Sequence, residues 1–386
     1  MSISGAPTDL LVLALVILAR LITPLFIPRY PLPAIIACLL LDGVDQTLFQ
    51  SFTSLPLDGY QGYDKALDVY YLSIAYLSTL RNWTNPFAFR VARFLFYYRL
   101  VGVALFEVLE WRVLLFIFPN TFEYFFIWYE LVSLWGNPIR LRRATVAGAA
   151  AAIWLLIKLP QEYWIHIARL DVTDVIKIAF LGALPETPWG HIFRAAPWAF
   201  AGVGLIAIAI MAVLVRLAAR RLPPLHAGPF ARRLYRQQFD REQWHAARAA
   251  WARHVFDRDL LEKVVLVALI VVIFAQILPG VRPTTPQLAF GVVAVVVLTT
   301  GVSHGLARRG VGWTSVIGQF LVVMAANFTA VILFQALPGV RDLNEANVLF
   351  FIFLLTIIVT LLDRFTIVRY ARFPDKLTAD SHGFSG

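Results

Sequence analysis

The sequence predicts an all-α, polytopic integral membrane bundle of about eleven transmembrane helices, with the N-terminus outside and the C-terminus inside. Three observations predict it. Hydrophobic residues make up 59% of the chain and charged residues 15%, with a mean hydropathy of +0.70. A soluble domain carries roughly 25% charged residues and cannot cover that much apolar surface, so lipid is the solvent for most of the chain. Apolar stretches of near-spanning length recur almost without break. Lysine and arginine gather in alternate connections between those stretches.

The expected spans are 10–28, 33–53, 61–80, 92–117, 120–136, 144–160, 197–217, 260–279, 287–306, 313–335 and 347–365; the third and fifth are short and polar. The N-terminus lacks the basic segment of a cleavable signal and Asp9 directly precedes the apolar run, so that run is read as the first membrane helix. One set of connections holds Arg29; Arg81, Arg90 and Arg93; Arg140, Arg142 and Arg143; the 216–258 loop; Arg308 and Arg309; and the tail with Arg369, Arg372 and Lys376. The other set, 54–60, 118–119, 161–196, 280–286 and 336–346, is poor in bases. Eleven spans put every basic connection on the cytoplasmic side of a bacterial-type inner (plasma) membrane. The single cysteine, Cys38, excludes an intrachain disulfide.

The chain divides into a membrane region at 1–143, two further membrane helices within 144–218, a basic cytoplasmic loop at 219–258, four helices within 259–368 and a tail at 369–386. Between Arg216 and Arg258 ten arginines stand against Asp240, Glu242 and Asp257, a net +7 within a chain of net +10. Basicity confined to one loop argues for anionic lipid as partner of 219–258, and against a nucleic-acid-binding domain. Within it, 229–258 sets Phe230, Leu234, Trp244, Trp251 and Val255 against arginines, a helix that docks on the bundle or lies on headgroups. On the outer side, 161–185 spaces Trp164, Ile167, Val175, Ile178 and Leu181 as a second amphipathic surface helix.

The four C-terminal helices carry a repeat. VVIFAQILPGVR at 271–282 matches AVILFQALPGVR at 330–341 in the same orientation, which implies two tandem hairpins. Gly301 and Gly305 permit close helix contact there.

Charges within a bilayer are costly, roughly 2.5–3.5 kcal/mol at a helix centre on insertion scales, so their placement is informative. Spans two to five hold Asp42, Asp45, Asp64, Asp68, Arg99, Glu107, Glu110, Arg112, Glu123 and Glu130. The last four spans hold chiefly Gln276, His304, Asn327 and Gln335, with Glu262, Lys263, Asp363 and Arg364 near their ends. The N-terminal half is therefore expected to be functional and the C-terminal half a scaffold. His304 is expected to be an interhelical hydrogen-bond partner.

Asp42 and Asp45 are three apart and Asp64 and Asp68 four apart, so each pair shares a helix face. A turn with Pro56 and Gly59 joins the two helices and places the pairs at one depth, ~10–12 Å from the outer ends. Four close carboxylates need a cation, a proton or arginines. Oxygen-only ligands suit Mg²⁺, Ca²⁺ or Mn²⁺ at Asp42, Asp45, Asp64 and Asp68. The competing possibility pairs Asp42 and Asp45 with Arg99 or Arg112. In span four, Arg99, Val103, Phe106 and Glu110 form one stripe with Glu107 beside it, fit to grip an anionic solute or to pair internally. No haem, zinc or nucleotide motif is present.

The pattern D-x2-D…D-x3-D also resembles the metal-binding signature of the CDP-alcohol phosphotransferases, which hold two Mg²⁺-class ions between consecutive membrane helices. Gly59 falls at that family's glycine. Gln46, Phe49 and Gln50 stand where the family has its glycine and Ala-Arg pair, and Tyr63 where its third aspartate would be. The family's site faces the cytoplasm, whereas this one is expected outside.

Three functions follow in order: a transporter or channel-like protein binding an ion or a polar solute, anionic ones included, at the Asp/Glu/Arg cluster; a membrane-embedded, divalent-metal-dependent enzyme acting on a lipid-linked phosphate; and a structural or assembly subunit. The sequence does not decide whether the chain is an enzyme.

Overall fold

The structure is a computed structural model. It describes residues 7–53, 60–168, 172–184, 241–253, 257–277, 284–308, 316–335 and 345–372, together with 187, 189–195, 197–198, 201–202, 205, 209 and 216. The described residues contain no strand, and the chain is all-α. Four helices are long and apolar enough to cross a membrane: Arg143–Ile167, Arg258–Ile277, Leu288–Gly305 and Asn347–Arg372. Leu11–Phe26 and Gly318–Thr329 are apolar but shorter. These helices mark a membrane protein.

By compactness the chain forms two units, Met1–Asp58 with Leu115–Tyr235 and Gly59–Leu114 with Arg236–Gly386. The expected 1–143 region is thus divided, and the stretch with the third and fourth spans packs with C-terminal helices.

The first unit holds α1 (Pro7–Ile22), α2 (Pro31–Phe52), α6 (Thr121–Trp135), α7 (Arg143–Ile167), α8 (Val172–Leu181) and α9 (Trp189–Ala195). Pro31 opens α2 at a position whose N–H would have no helical partner anyway. Helix α2 packs on α1 and α6, and α6 on α7. Helix α7 widens into π turns at Ile153–Lys158 and Tyr163–Ile167, on either side of Pro160. Proline removes a backbone donor and crowds the preceding turn, and π turns take up such insertions. Residues 161–167, expected to begin a surface helix, instead continue α7. Only 22% of its apolar window is buried within the protein, and Leu155, Leu156 and Ile157 are all exposed, a surface suited to lipid.

The second unit holds α3 (Tyr60–Asn82), α4 (Pro86–Leu109), α10 (Arg241–Arg253), α11 (Arg258–Ile277), α12 (Thr285–Arg308), α13 (Val316–Gln335) and α14 (Glu345–Arg372). Asn85 caps α4 by accepting from the N–H groups of Phe87 and Ala88, each at 3.0 Å, and Pro86 follows it. Helix α4 stops at Leu109, where Glu110 turns left-handed with φ 56°. A short α5 (Val113–Ile117) follows, so the expected single span 92–117 is broken. Helix α14 is central: it packs on α3, α10, α11 and α13, and 67% of its apolar window is buried. Helix α3 comes close to α11 at Gly62, where an added Cβ would lie 2.7 Å from the Ile277 carbonyl oxygen. The amphipathic helix within 229–258 is α10, and its Trp251 packs with Ala247, Ile367, Trp244 and Tyr370.

The turn at 54–59, most of span 197–217, the basic stretch 217–240 and both Leu-Pro-Gly-Val-Arg turns lie outside the described residues.

Candidate functional site

In the first unit the two aspartates of α2 converge on Arg20 of α1. Asp42 Oδ1 lies 2.7 Å from Arg20 Nη2, and Asp45 Oδ2 accepts from Nη1. The i,i+3 spacing puts both carboxylates on the face that meets α1. The planar guanidinium offers separate nitrogens to each, which an ammonium group could not do with the same fixed geometry. Arg20 and Asp45 are buried, whereas the Asp42 side chain is 34% exposed. Arg20, a lone charge within the expected first span, thus pairs with both aspartates. Both carboxylates meet the one guanidinium, and Asp42 is the more open of the two.

The same unit buries a second polar group. Glu123 and Glu130 of α6 are 3% and 5% exposed, and Asn120 Nδ2 donates to Glu123 at 3.0 Å. Glu162 of α7 accepts from the Asn120 N–H at 3.3 Å and pairs with His166 Nε2 at 3.0 Å. Lys158 is buried with its ammonium 3.9 Å from the Tyr124 ring centre. Lys158, Glu162 and His166 recur every fourth residue, a helical stripe visible in the sequence and missed there because the span was ended at 160.

In the second unit, Asp64 and Asp68 of α3 are half-buried. Lys65 pairs with Glu107 at 2.9 Å, with the Lys65 side chain half in solvent. Arg99 is half-buried on α4. Glu110 and Arg112 are exposed at the break after α4, so the expected stripe from Arg99 ends at Phe106.

The second unit also contains charge clusters that the sequence reading assigned to scaffold. Glu262 of α11 accepts from Tyr76 and Tyr97 and pairs with Arg93 at 3.4 Å. Next to it in sequence, Lys263 Nζ meets both oxygens of Asp363 at 3.0 and 3.1 Å, and Ser303 Oγ donates to the same carboxylate at 2.7 Å. All three side chains are buried. His304 stacks on Trp251 of α10 at 3.9 Å between ring centres. Trp251 lines two small cavities. One is lined by Asp257, Asp259, Lys263, Thr300, His304 and Asp363. The other is lined by Trp244, Arg248, Ser303, Gln319, Arg364 and Ile367.

No family model, curated protein or solved structure matches the chain.

Proposed function

We propose that the chain is an integral membrane transporter that binds a cation or a proton at Asp42, beside Arg20 and Asp45. The supporting observation is the uneven triad: one guanidinium holds two carboxylates, and the Asp42 carboxylate is the partly open one. Ionisable groups within membrane helices mark solute and proton pathways, because their insertion cost is otherwise unrewarded. In this reading the chain crosses an inner (plasma) membrane eleven times with its C-terminus inside. The 219–258 segment lies on the cytoplasmic face against anionic lipid.

Binding is tested with the purified full chain in neutral detergent. Thermal unfolding is followed against Na⁺, Mg²⁺ and Ca²⁺, and against pH. Either a cation or a proton should raise the midpoint in the wild type and have no effect in Asp42→Asn. Identical responses in both proteins would reject the site.

A second reading, a structural subunit whose charges only satisfy one another, is favoured by the buried Arg20–Asp45 pair. Under it, Asp42→Asn leaves every function unchanged and only Arg20 and Asp45 variants lose stability.

A further inference from the structure

The chain leaves α4 through a turn in which every residue from 108 to 113 is exposed. Val108, Leu109, Trp111 and Val113 are exposed apolar side chains, with Trp111 66% exposed, and Glu110 and Arg112 stand on either side of Trp111. Glu110 is the one non-glycine residue with positive φ among the described residues, at 56°. A side chain is rarely held in that region, and the strain is kept where the chain has to change direction. The turn is hydrogen-bonded on both sides. The Glu110 N–H donates to the Phe106 carbonyl at 2.7 Å, and the Leu114 N–H to that of Trp111 at 3.0 Å. It is a built turn and not a frayed helix end.

Helix α4 has 24 residues and a length of about 36 Å, enough to cross a hydrocarbon core of about 30 Å. Its two ends differ in charge. The end that joins α3 carries Arg81, Arg90 and Arg93, and Arg372 of α14 donates there to the carbonyls of Arg81 and Trp83. Gathered arginines mark a cytoplasmic end, so the turn after Leu109 stands at the outer one. One helical turn inside it, Glu107 pairs with Lys65 of α3 at 2.9 Å, and the lysine side chain is half in solvent. The two helices therefore become polar at the same level. Hydrocarbon is costly for exposed Glu110 and Arg112, and water is unfavourable for a cluster of exposed apolar side chains. The boundary between the two suits both.

We propose that 108–113 is an anchor seated among the phospholipid headgroups of the outer leaflet, given the reading of α4 as a membrane span. Val108, Leu109 and Val113 enter the acyl boundary, and the Trp111 indole lies at headgroup level. The Arg112 guanidinium meets a lipid phosphate while Glu110 faces water. The phosphodiester is common to phospholipids, so neutral lipid suffices, unlike the anionic lipid read for 219–258.

The test uses the full chain with Cys38→Ser and one new cysteine, Trp111→Cys or Leu105→Cys, the second being an exposed position of α4 before the break. Each is labelled with a small fluorophore and reconstituted in phosphatidylcholine bearing a nitroxide either at the headgroup or deep in the acyl chain. At position 111 the headgroup nitroxide should quench more than the deep one, and at 105 the order should reverse. Val113→Cys replaces Trp111→Cys if that variant does not fold. Adding Trp111→Ala and Arg112→Gln to the Leu105→Cys chain should shift its ratio of deep to shallow quenching, because α4 loses what fixes its depth. Three results overturn the anchor and leave α4 a span, provided that 105 is quenched by the deep nitroxide: no lipid quenching at 111, stronger quenching there by the deep nitroxide, or an unmoved ratio at 105. No lipid quenching at 105 overturns the span and the anchor together.

Discussion

Lys263 and Asp363, one hundred residues apart in sequence, meet inside the second unit with the lysine Nζ 3.0 and 3.1 Å from the two carboxylate oxygens. The pair joins α11 to α14, and the Ser303 hydroxyl ties in α12. Buried charges brought together this way offset each other's desolvation only while both are present. Lys263→Met should therefore destabilise the full chain in detergent by about 3–5 kcal/mol, and Lys263→Met with Asp363→Leu should recover most of that. Ser303→Ala should cost about 1–3 kcal/mol, the range for a buried acceptor that loses a donor. Unfolding midpoints of these three variants and of Asp363→Leu alone check this; additive losses in the double variant would contradict a pairwise interaction.

Close packing of α3 on α11 depends on the absence of a side chain at Gly62. A Cβ there would lie 2.7 Å from backbone oxygen of Ile277, which cannot rotate away. Gly62→Ala should destabilise by about 1–3 kcal/mol through overpacking. Gly43 of α2 has nothing within 4 Å of its ideal Cβ. Gly43→Ala should be neutral or stabilising by up to about 1 kcal/mol, the helix-propensity gain of alanine over glycine. Thermal melts of the two variants should shift apart; a shared direction would contradict the contact.

Helical class and membrane character were legible because mean hydropathy and apolar period act over whole segments and need no knowledge of partners. Asp42 and Asp45 were legible as a pair because three-residue spacing fixes a shared helix face. Their partner was not. Arg20 is a lone charge in span one, and only the packing of α1 on α2 brings it to those aspartates. Lys263 and Asp363 sit near span ends in the sequence, yet both are buried, and Trp251 of α10 lines the same small cavity. The break after Leu109 was hidden because Glu110, Trp111 and Arg112 interrupt hydropathy too briefly to divide the expected span 92–117. Glu110 is also not a glycine, the residue that usually marks a left-handed helix end.

The topology makes a prediction that does not depend on the site. In the eleven-span reading, 219–258 is cytoplasmic and 161–196 outside. Because α7 continues through Ile167, the outer stretch begins later than the sequence suggested. Single cysteines at Gln238 and Thr173, in a background with Cys38→Ser, distinguish the sides. A membrane-impermeant reagent on intact cells should label position 173 and spare 238. Labelling at 238 alone would reverse the orientation.

Arg20 and its aspartates should respond unequally to substitution. Asp45 is 3% exposed, so Asp45→Asn leaves Arg20 with a weaker, neutral partner in a buried place and should cost about 2–4 kcal/mol. Asp42 is partly open, and water can replace its contact, so Asp42→Asn should cost about 1 kcal/mol or less. Arg20→Gln should be the most damaging, because it leaves two carboxylates facing one another. Urea or heat unfolding of the three variants gives the order, and a larger loss for Asp42→Asn than for Asp45→Asn would contradict it.

That stability difference makes the decisive measurement possible. Asp42→Asn should fold nearly as well as the wild type while removing the partly open carboxylate. Full-length protein is reconstituted in proteoliposomes, and uptake of Na⁺, Mg²⁺, Ca²⁺ and protons is followed separately under an imposed gradient. Transport at Asp42 predicts protein-dependent uptake of at least one of these ions by the wild type, reduced at least about tenfold in folded Asp42→Asn. Uptake that is equal in the two proteins, or absent from the wild type for all four ions, would contradict it.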